Sequence, residues 1–401
     1  MAFSFLKRPA GNKKLGIYVH IPFCKSKCEY CDFYSLGGSR DRHVTDDYLQ
    51  ALADHIKESG RLAPEYVVDT VYFGGGTPSF FGAENLEKIL DEIQRRFRLD
   101  ADAEITLEAN PDSVTNQSLK KLLRAGFNRI SIGVQSDDDE MLKKLGRPHT
   151  YEQARQAVQR AREVGFANVS VDLMYGLPNQ TLTGWKETVE NVLTLKPDHL
   201  SAYALRVEEG TPLWGYRDCA NLPDDDRQAD MYLAACRILR DYGYEHYEIS
   251  NFAKPGFASR HNLKYWNLDE YLGFGPSAAS DFGGKRFSAV ADLRGYIDGI
   301  RQHGTILREC DAIPMRERAG EYVMLRLRTS LGIEEKEYET RFLMPFKPLE
   351  TLLTRFQTRG YTEKLEDGRW VLTEQGWLVS NQIIITLNEA QERSTPLAKK
   401  R

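Results

Sequence analysis

The chain has 401 residues, of which 41% are hydrophobic and 28% are charged, and its formal net charge is −4. These proportions are typical of a globular protein with a sizeable core, and the length predicts two domains. The 54 basic and 58 acidic residues are mixed along the chain, which excludes the broad basic face that nucleic-acid binding requires. No apolar segment is long enough for a signal peptide or a membrane span, so we expect a cytoplasmic protein.

Residues 15–250, which follow an N-terminal tail over residues 1–14, alternate short apolar runs with amphipathic stretches. Strands are predicted at residues 16–20, 70–73, 104–108, 129–134, 170–174 and 199–204. Helices are predicted at residues 47–58, 85–97, 118–124, 151–164, 184–195 and 224–242. Several helices begin at Ser or Thr and end near Gly, as at Thr150 and Gly165. Six such βα units predict an α/β fold with a partial barrel, whose chemistry should lie in the loops that follow the strands.

The pattern changes after residue 250. Residues 251–315 are aromatic and rich in glycine without a helical period, so we expect a structured connecting loop there. Residues 316–401 are predicted to form a small second domain, with helices near 316–329 and 349–359. Within it, the segment GRWVLTEQGWLVSN predicts a short strand that leads into a helix.

Three of the six cysteines, Cys24, Cys28 and Cys31, form a C-x3-C-x2-C motif directly after the first predicted strand. In a reducing compartment such a cluster indicates metal ligation, and thiolates suit zinc or an iron–sulfur cluster. Three thiolates on a four-iron cluster leave one iron open, which the amino and carboxylate groups of an amino acid can chelate. The alternative is structural zinc with His20 as the fourth ligand, although the two ligand pairs usual in zinc sites are missing. The scattered cysteines are expected to be buried or inert: Cys219, Cys236 and Cys310.

This cysteine spacing, with Tyr30 before the last cysteine, resembles the signature of the radical-SAM family, which implies a [4Fe-4S] cluster and bound S-adenosylmethionine. Motifs at later strand ends extend the resemblance: GGGTP, LEANP, IGVQS, GRPHT and VDLMYGLP. The resemblance implies an S-adenosylmethionine site formed by Tyr18, Tyr30, Gly75, Gly76, Thr77, Glu108, Gln135, Arg147 and Asp172. Chemically, Glu108 and Asp172 suit the ribose hydroxyls, because carboxylates accept hydrogen bonds, and Arg147 suits the ligand's carboxylate.

The motifs YVHIPFC, GGGTP, GVQS and DLMYGLP resemble the branch of this family that contains oxygen-independent coproporphyrinogen dehydrogenase. The branch implies a (β/α)6 TIM-like barrel of the radical-SAM type with a small helical or winged-helix C-terminal domain. Two departures separate this chain from that enzyme. Phe33 stands where the enzyme's motif continues to a further cysteine, and seventeen residues precede Tyr18 where the enzyme has a longer extension.

The segment HNLKYW resembles the HNxxYW motif of the HemW-type haem chaperones. Neutral histidine is a common axial ligand of haem iron, and aromatic rings can lie against a porphyrin. We therefore predict a haem site at His261, Tyr265 and Trp266, with Arg260 or Lys264 near the propionates. The alternative is a buried histidine that holds its segment in place by hydrogen bonds.

The resemblance implies a haem chaperone that binds haem and transfers it to acceptor proteins. We expect these acceptors to be respiratory proteins. The cluster and S-adenosylmethionine would then serve stability, dimerisation or release, and both a homodimer and transient membrane contact are compatible with this role. One alternative is coproporphyrinogen III dehydrogenase, an oxidoreductase that decarboxylates its substrate through a 5′-deoxyadenosyl radical. A radical-SAM enzyme with another substrate is the third hypothesis.

Overall fold

The structure is a computed structural model that describes residues 13–38, 41–218 and 221–397. The strands are β1 Lys13–Ile21, β2 Phe23–Cys24, β3 Leu36–Gly37, β4 Tyr66–Gly75, β5 Arg98–Ala109, β6 Arg129–Gln135, β7 Asn168–Tyr175, β8 His199–Ala204, β9 Glu245–Glu248, β10 Asn251–Ala253, β11 Tyr271–Phe274, β12 Ala279–Phe282, β13 Lys285–Ala289, β14 Leu307–Ala312, β15 Thr362–Lys364 and β16 Trp370–Leu372. The helices are α1 Arg42–Gly60, α2 Pro78–Phe81, α3 Ala83–Arg96, α4 Asn116–Ala125, α5 Asp139–Lys144, α6 Tyr151–Val164, α7 Leu182–Leu193, α8 Asp225–Asp241, α9 Arg260–Trp266, α10 Leu293–Arg301, α11 Met315–Arg326, α12 Glu335–Phe342, α13 Lys347–Gln357, α14 Glu374–Leu378 and α15 Ser380–Glu392.

One large sheet organises the molecule, with strand order β14-β13-β12-β11-β1-β4-β5-β6-β7-β8-β10-β9. Its centre is the parallel run from β1 to β8, and these six strands are the six that the sequence predicts. The predicted partial barrel is therefore confirmed. The sequence did not predict β11, which adds a seventh parallel strand beside β1.

The barrel strands are buried because neighbouring strands and helices cover both of their faces, as parallel sheets require. In β6 every residue is buried. The helices that cover the sheet begin and end at the predicted caps. Thr150 accepts a hydrogen bond from the backbone of Gln153 at the start of α6, and Gly165 ends that helix with a φ of 109°.

The prediction of a loop over residues 251–315 is wrong, because this segment contains β10, α9, β11, β12, β13, α10 and β14. Its first elements are too short to show a period in the sequence. Helix α9 has seven residues, and it begins because the Ser259 side chain and the Glu104 carboxylate accept from its first backbone N–H groups. Contacts with distant strands, rather than local pattern, determine the structure of this segment.

The C-terminal region contains α11 to α15 and the short β15–β16 hairpin, so the predicted strand followed by a helix is confirmed at β16 and α14. It packs on the barrel side through Trp377, whose ring makes an edge contact with His246 of β9, with a centroid distance of 4.2 Å. Among the described residues, we find no helix with the length and apolarity needed to cross a membrane.

Candidate functional site

A cavity of about 420 Å³ opens where the barrel strands end at their carboxyl termini. The residues predicted for the cluster and the S-adenosylmethionine site meet there: Cys24, Cys28, Tyr30, Cys31, Gly75, Gly76, Thr77, Glu108, Gln135, Arg147 and Asp172. Tyr18 is not among the lining residues; its hydroxyl lies 3.0 Å from His20 Nδ1. The structure thus brings together residues that are up to 148 positions apart in the sequence, between Cys24 and Asp172.

The glycine turn after β4 is tied directly to the cysteine loop. The backbone N–H of Gly76 donates to the carbonyl of Ile21, and that of Thr77 donates to Phe23, both at 2.8 Å. A Cβ on Gly76 would lie 2.8 Å from the Ile21 oxygen and 3.0 Å from Cys24 Sγ. Glycine is therefore needed here first for contact with the cysteine loop, whereas the sequence suggested only contact with a ligand.

Hydrogen-bond donors already point at two of the three sulfur atoms. Thr77 Oγ1 lies 3.4 Å from Cys24 Sγ, and Arg147 Nη1 lies 3.6 Å from Cys28 Sγ. Burial raises the pKa of Cys24, and it raises the pKa of Cys31 to about 11. Three thiols that share one short loop and face one cavity, with donors that favour thiolate, fit a three-cysteine iron–sulfur cluster.

The alternative of a zinc site with His20 does not fit this geometry. His20 is 4% exposed, its Nε2 lies 2.8 Å from the carbonyl oxygen of Tyr34, and its Nδ1 faces Tyr18. Both ring nitrogens are therefore engaged away from the thiols. His20 therefore does not complete a closed zinc site with these thiols.

Arg147 retains one donor for a ligand. Its Nη2 donates to Asn110 Oδ1 and to the carbonyl of Gly133, both at 2.8 Å, while its buried Nε has no hydrogen-bond partner. A buried donor without a partner is costly, so a ligand oxygen is favoured at this position. This fits the predicted pairing of Arg147 with a ligand carboxylate.

Two half-buried carboxyl groups line the cavity from β5 and β7, which lie on either side of β6 in the sheet. Glu108 accepts from the Tyr72 hydroxyl at 2.7 Å and from the backbone N–H of Gly75 at 3.2 Å, and burial raises its pKa to about 7. Asp172 accepts from Ser201 Oγ at 2.7 Å, and burial raises its pKa as well. Carboxylate oxygens that still have free lone pairs in a partly apolar cavity suit the hydroxyl groups of a ribose.

Gln135 reaches the cavity through an irregular backbone. Its φ is 68°, and the pairing of β6 with β7 shifts register between Gly133 and Gln135. Such a bulge redirects a side chain at the end of a strand. A left-handed residue that is not glycine carries a conformational cost, which is typical of functional sites.

Sequence reasoning missed the floor of the cavity, formed by Tyr72, Asn110, Arg129, Ser131, His199, Ser201, Tyr203 and Asn262. A usable signal existed in two strands. In RISIGVQ and HLSAYA, polar side chains alternate with apolar ones, and the polar set faces the barrel interior. This alternation is detectable once a barrel has been predicted.

The HNLKYW segment does not present its histidine to the cavity. His261 is fully buried, with Nδ1 2.9 Å from Thr70 Oγ1 and Nε2 2.7 Å from the Tyr265 hydroxyl. Its ring also packs against Tyr72, with a centroid distance of 5.1 Å. This contradicts the predicted access of haem to His261, because both nitrogens that could bind iron are already hydrogen-bonded inside the core.

The other predicted haem contacts of this segment are also partly occupied. Lys264 Nζ pairs with Asp69 at 2.7 Å and its side chain is 6% exposed, so a propionate cannot reach it. Tyr265 packs edge-on against Tyr271, whereas Trp266 is half-buried and Arg260 is exposed. Within the motif, His261 and Lys264 therefore join α9 to β5 and β4, while Asn262 lines the cavity.

The scattered cysteines differ from one another. Cys236 is buried as predicted, Cys310 is exposed on β14, and Cys219 lies outside the described residues. Cys310 is not buried, because an edge strand leaves its side chain in solvent, and its expected inertness stays a prediction.

Family models and known proteins match these features. The Radical SAM superfamily matches residues 18–192, and the HemN C-terminal domain matches residues 313–379. The chain is 36% identical to a protein of Bacillus subtilis named heme chaperone HemW, over 91% of this chain and 97% of that protein. A protein of the same name from Escherichia coli is also 36% identical, over 92% of this chain and 97% of its own length.

Other relatives share the architecture. A mouse protein named radical S-adenosyl methionine domain-containing protein 1, mitochondrial, is 34% identical over 89% of this chain and 81% of its own. Among solved structures, coproporphyrinogen III oxidase (HemN) of Escherichia coli superposes with a TM-score of 0.82 at 25% identity, covering 94% of this chain and 90% of that one.

Proposed function

Because this chain belongs to the HemW family of radical-SAM proteins, we propose that it binds haem and passes it to acceptor proteins. Membership in this family implies a [4Fe-4S] cluster and S-adenosylmethionine, and the cavity supplies a matching set of thiols, carboxylates and the guanidinium of Arg147. The acceptors we propose are respiratory haem proteins met from the cytoplasm. A homodimer and transient membrane contact are compatible with this role and are left to measurement.

The observation that carries the proposal is the match with the chaperones over 97% of their length. The charge of the cavity supports it. The basic residues among its described lining are Lys27, Arg129 and Arg147. The unpartnered Nε of Arg147 is assigned to the S-adenosylmethionine carboxylate, and Arg129 is 2% exposed and interacts with Glu104. Coproporphyrinogen III carries four carboxylates, so a cavity with one free base is poorly suited to it.

We place the haem contact at the rim of the cavity rather than at His261. Phe33 lines the cavity mouth with 63% of its surface exposed, at the position where the related enzyme has a cysteine. A ring there can lie against a porphyrin, and the neighbouring exposed Lys27 can meet a propionate. Phe33→Ser should weaken haem binding, while Leu62→Ser, which changes another exposed apolar residue, should not.

The first experiment is a haem titration of protein with a reconstituted cluster, followed by absorbance. We expect a saturable, shifted Soret band with about one haem per chain. A spectrum that stays that of free haem up to a large excess would contradict the proposal.

The second experiment separates the chaperone from the related enzyme. The anaerobic protein is mixed with a reductant, S-adenosylmethionine and coproporphyrinogen III, and both decarboxylated product and 5′-deoxyadenosine are measured. We expect no product that depends on coproporphyrinogen. Turnover of this substrate with matching amounts of 5′-deoxyadenosine would favour the dehydrogenase instead.

A further inference from the structure

A second group of metal-binding side chains lies away from the cavity, between the barrel and the C-terminal region. Cys236 comes from α8, His246 from β9 and Glu374 from the start of α14. One ligand atom from each lies within 4.8 Å of the other two. None of the three lines the cavity that contains the cysteine motif.

The distance between Cys236 and His246 fits a cation with tetrahedral coordination. Cys236 Sγ lies 3.7 Å from His246 Nδ1. Zinc–sulfur and zinc–nitrogen bonds of about 2.3 and 2.0 Å place two tetrahedral ligands about 3.5 Å apart. An ion can therefore sit between this sulfur and this nitrogen without movement of the backbone.

The histidine is oriented for such an ion. Its Nε2 faces the carbonyl oxygen of Ile249 at 3.4 Å and the Tyr232 hydroxyl at 3.5 Å, so Nδ1 is the nitrogen left for a ligand. A ring nitrogen that donates to a carbonyl is the usual outer support of a metal-binding histidine. Stacking on Phe252, with centroids 4.0 Å apart, and an edge contact with Trp377 hold the ring in this plane.

The Glu374 carboxylate lies on the solvent side of the site. Glu374 is 32% exposed on its side chain, and its two oxygens lie 3.1 and 3.2 Å from Arg240 Nη2. One oxygen can bind a cation while the other retains the arginine. Cys236 is 1% exposed, so the soft ligand lies deepest and the entry path passes Glu374.

We propose that Cys236, His246 and Glu374 bind one Zn²⁺-like divalent cation that fastens the C-terminal region to the barrel. The Cys236 thiol loses its proton to solvent on binding, and water completes the tetrahedron. The site is independent of the haem proposal, because it shares no residue with the cavity.

The test uses the whole chain with its iron–sulfur cluster reconstituted, so that Cys24, Cys28 and Cys31 are occupied. The protein is incubated with Zn²⁺ alone, passed over a chelating resin, and analysed for zinc and iron. We expect about one zinc per chain beyond the cluster iron, and a higher melting temperature in the presence of zinc.

Two substitutions and one matched control identify the ligands. Cys236→Ser and Glu374→Gln should each lower zinc affinity about tenfold or more, with iron content unchanged. Cys310→Ser, which removes an exposed thiol elsewhere, should retain zinc as the unchanged chain does. Glu374 is partly exposed, so its variant should fold even if loss of the Cys236 thiol does not permit folding. No zinc in the unchanged protein, or equal zinc in Glu374→Gln, would overturn the proposal.

Discussion

The thiol of Cys28 and that of Cys310 have opposite surroundings. Cys28 lies beside Arg147 at the cavity, whereas Cys310 is exposed on an edge strand. We predict that Cys28→Ala loses the cluster and that Cys310→Ala retains about four irons per chain after anaerobic reconstitution. Iron and sulfide analysis with the absorbance spectrum provides the measurement. A full cluster in Cys28→Ala would refute the ligand assignment.

His261 is a structural residue in this account. Because its two nitrogens bond Thr70 and Tyr265, His261→Ala should lower the free energy of unfolding by about 1–3 kcal/mol. The haem spectrum of the folded variant should stay unchanged, since haem contacts the rim. Tyr265→Phe removes only one of these bonds and should cost less in a denaturant titration. Loss of the Soret shift in folded His261→Ala would restore this histidine as the iron ligand.

Glu108 makes ligand binding depend on pH. Burial raises its pKa to about 7, and the ionised form is the better acceptor for ribose hydroxyls. The affinity for S-adenosylmethionine should therefore rise as pH increases through about 7, and Glu108→Gln should abolish this slope. Because the folded pKa lies above the ordinary value of 4.5, this group's contribution to stability is lost as pH rises through the same range. Calorimetric titrations at pH values on both sides of 7 measure the affinity; a flat profile would contradict the assignment.

At the scale of elements, the turn between β4 and α2 and the cysteine loop behave as one unit. A Cβ on Gly76 meets the Ile21 carbonyl and Cys24 Sγ, so Gly76→Ala should displace the loop and lower the iron content, with S-adenosylmethionine binding falling as a consequence. Gly215→Ala, where the added Cβ meets nothing within 4 Å, is the control. Full iron with normal affinity in Gly76→Ala would show that the turn can move away.

The barrel could be predicted because its elements are long and regular. The strand His199–Ala204 and the helix Tyr151–Val164 occur with the predicted bounds, since hydrophobic period and caps agree there. The elements between Asn251 and Ala289 could not be predicted, because α9 depends on Glu104, which is more than 150 positions away.

The residues of the candidate site likewise fall into those that could be predicted from the sequence and those that could not. Its cysteines, glycine turn and carboxyl groups stand in motifs at strand ends, where a parallel barrel gathers side chains. The floor residues, such as Ser131 and Ser201, lie inside strands, and their contact with Asp172 depends on the register of three neighbouring strands. The prediction for His261 failed in the opposite way, because this residue was assigned to a binding site and is buried in the core. Its motif does not reveal whether the ring faces solvent or the core.

In the whole molecule, the cavity with the cysteine motif lies at the carboxyl ends of the strands of a partial barrel, and the C-terminal region packs on the side of that barrel. Helix α9 occupies the inside of the barrel through His261 and Lys264. This arrangement leaves the rim at Phe33 as the surface where a large planar ligand meets both the cavity and an incoming acceptor.

Transfer of haem to an acceptor distinguishes a haem chaperone from a protein that only binds haem. Haem-loaded protein with an intact cluster is mixed with a haem-free respiratory acceptor, the two are separated, and haem is measured on each. We expect that haem leaves this chain and appears on the acceptor faster than it does from Phe33→Ser protein mixed with an equal amount of free haem. Haem that stays on this chain, or that reaches the acceptor equally fast without it, would contradict the account.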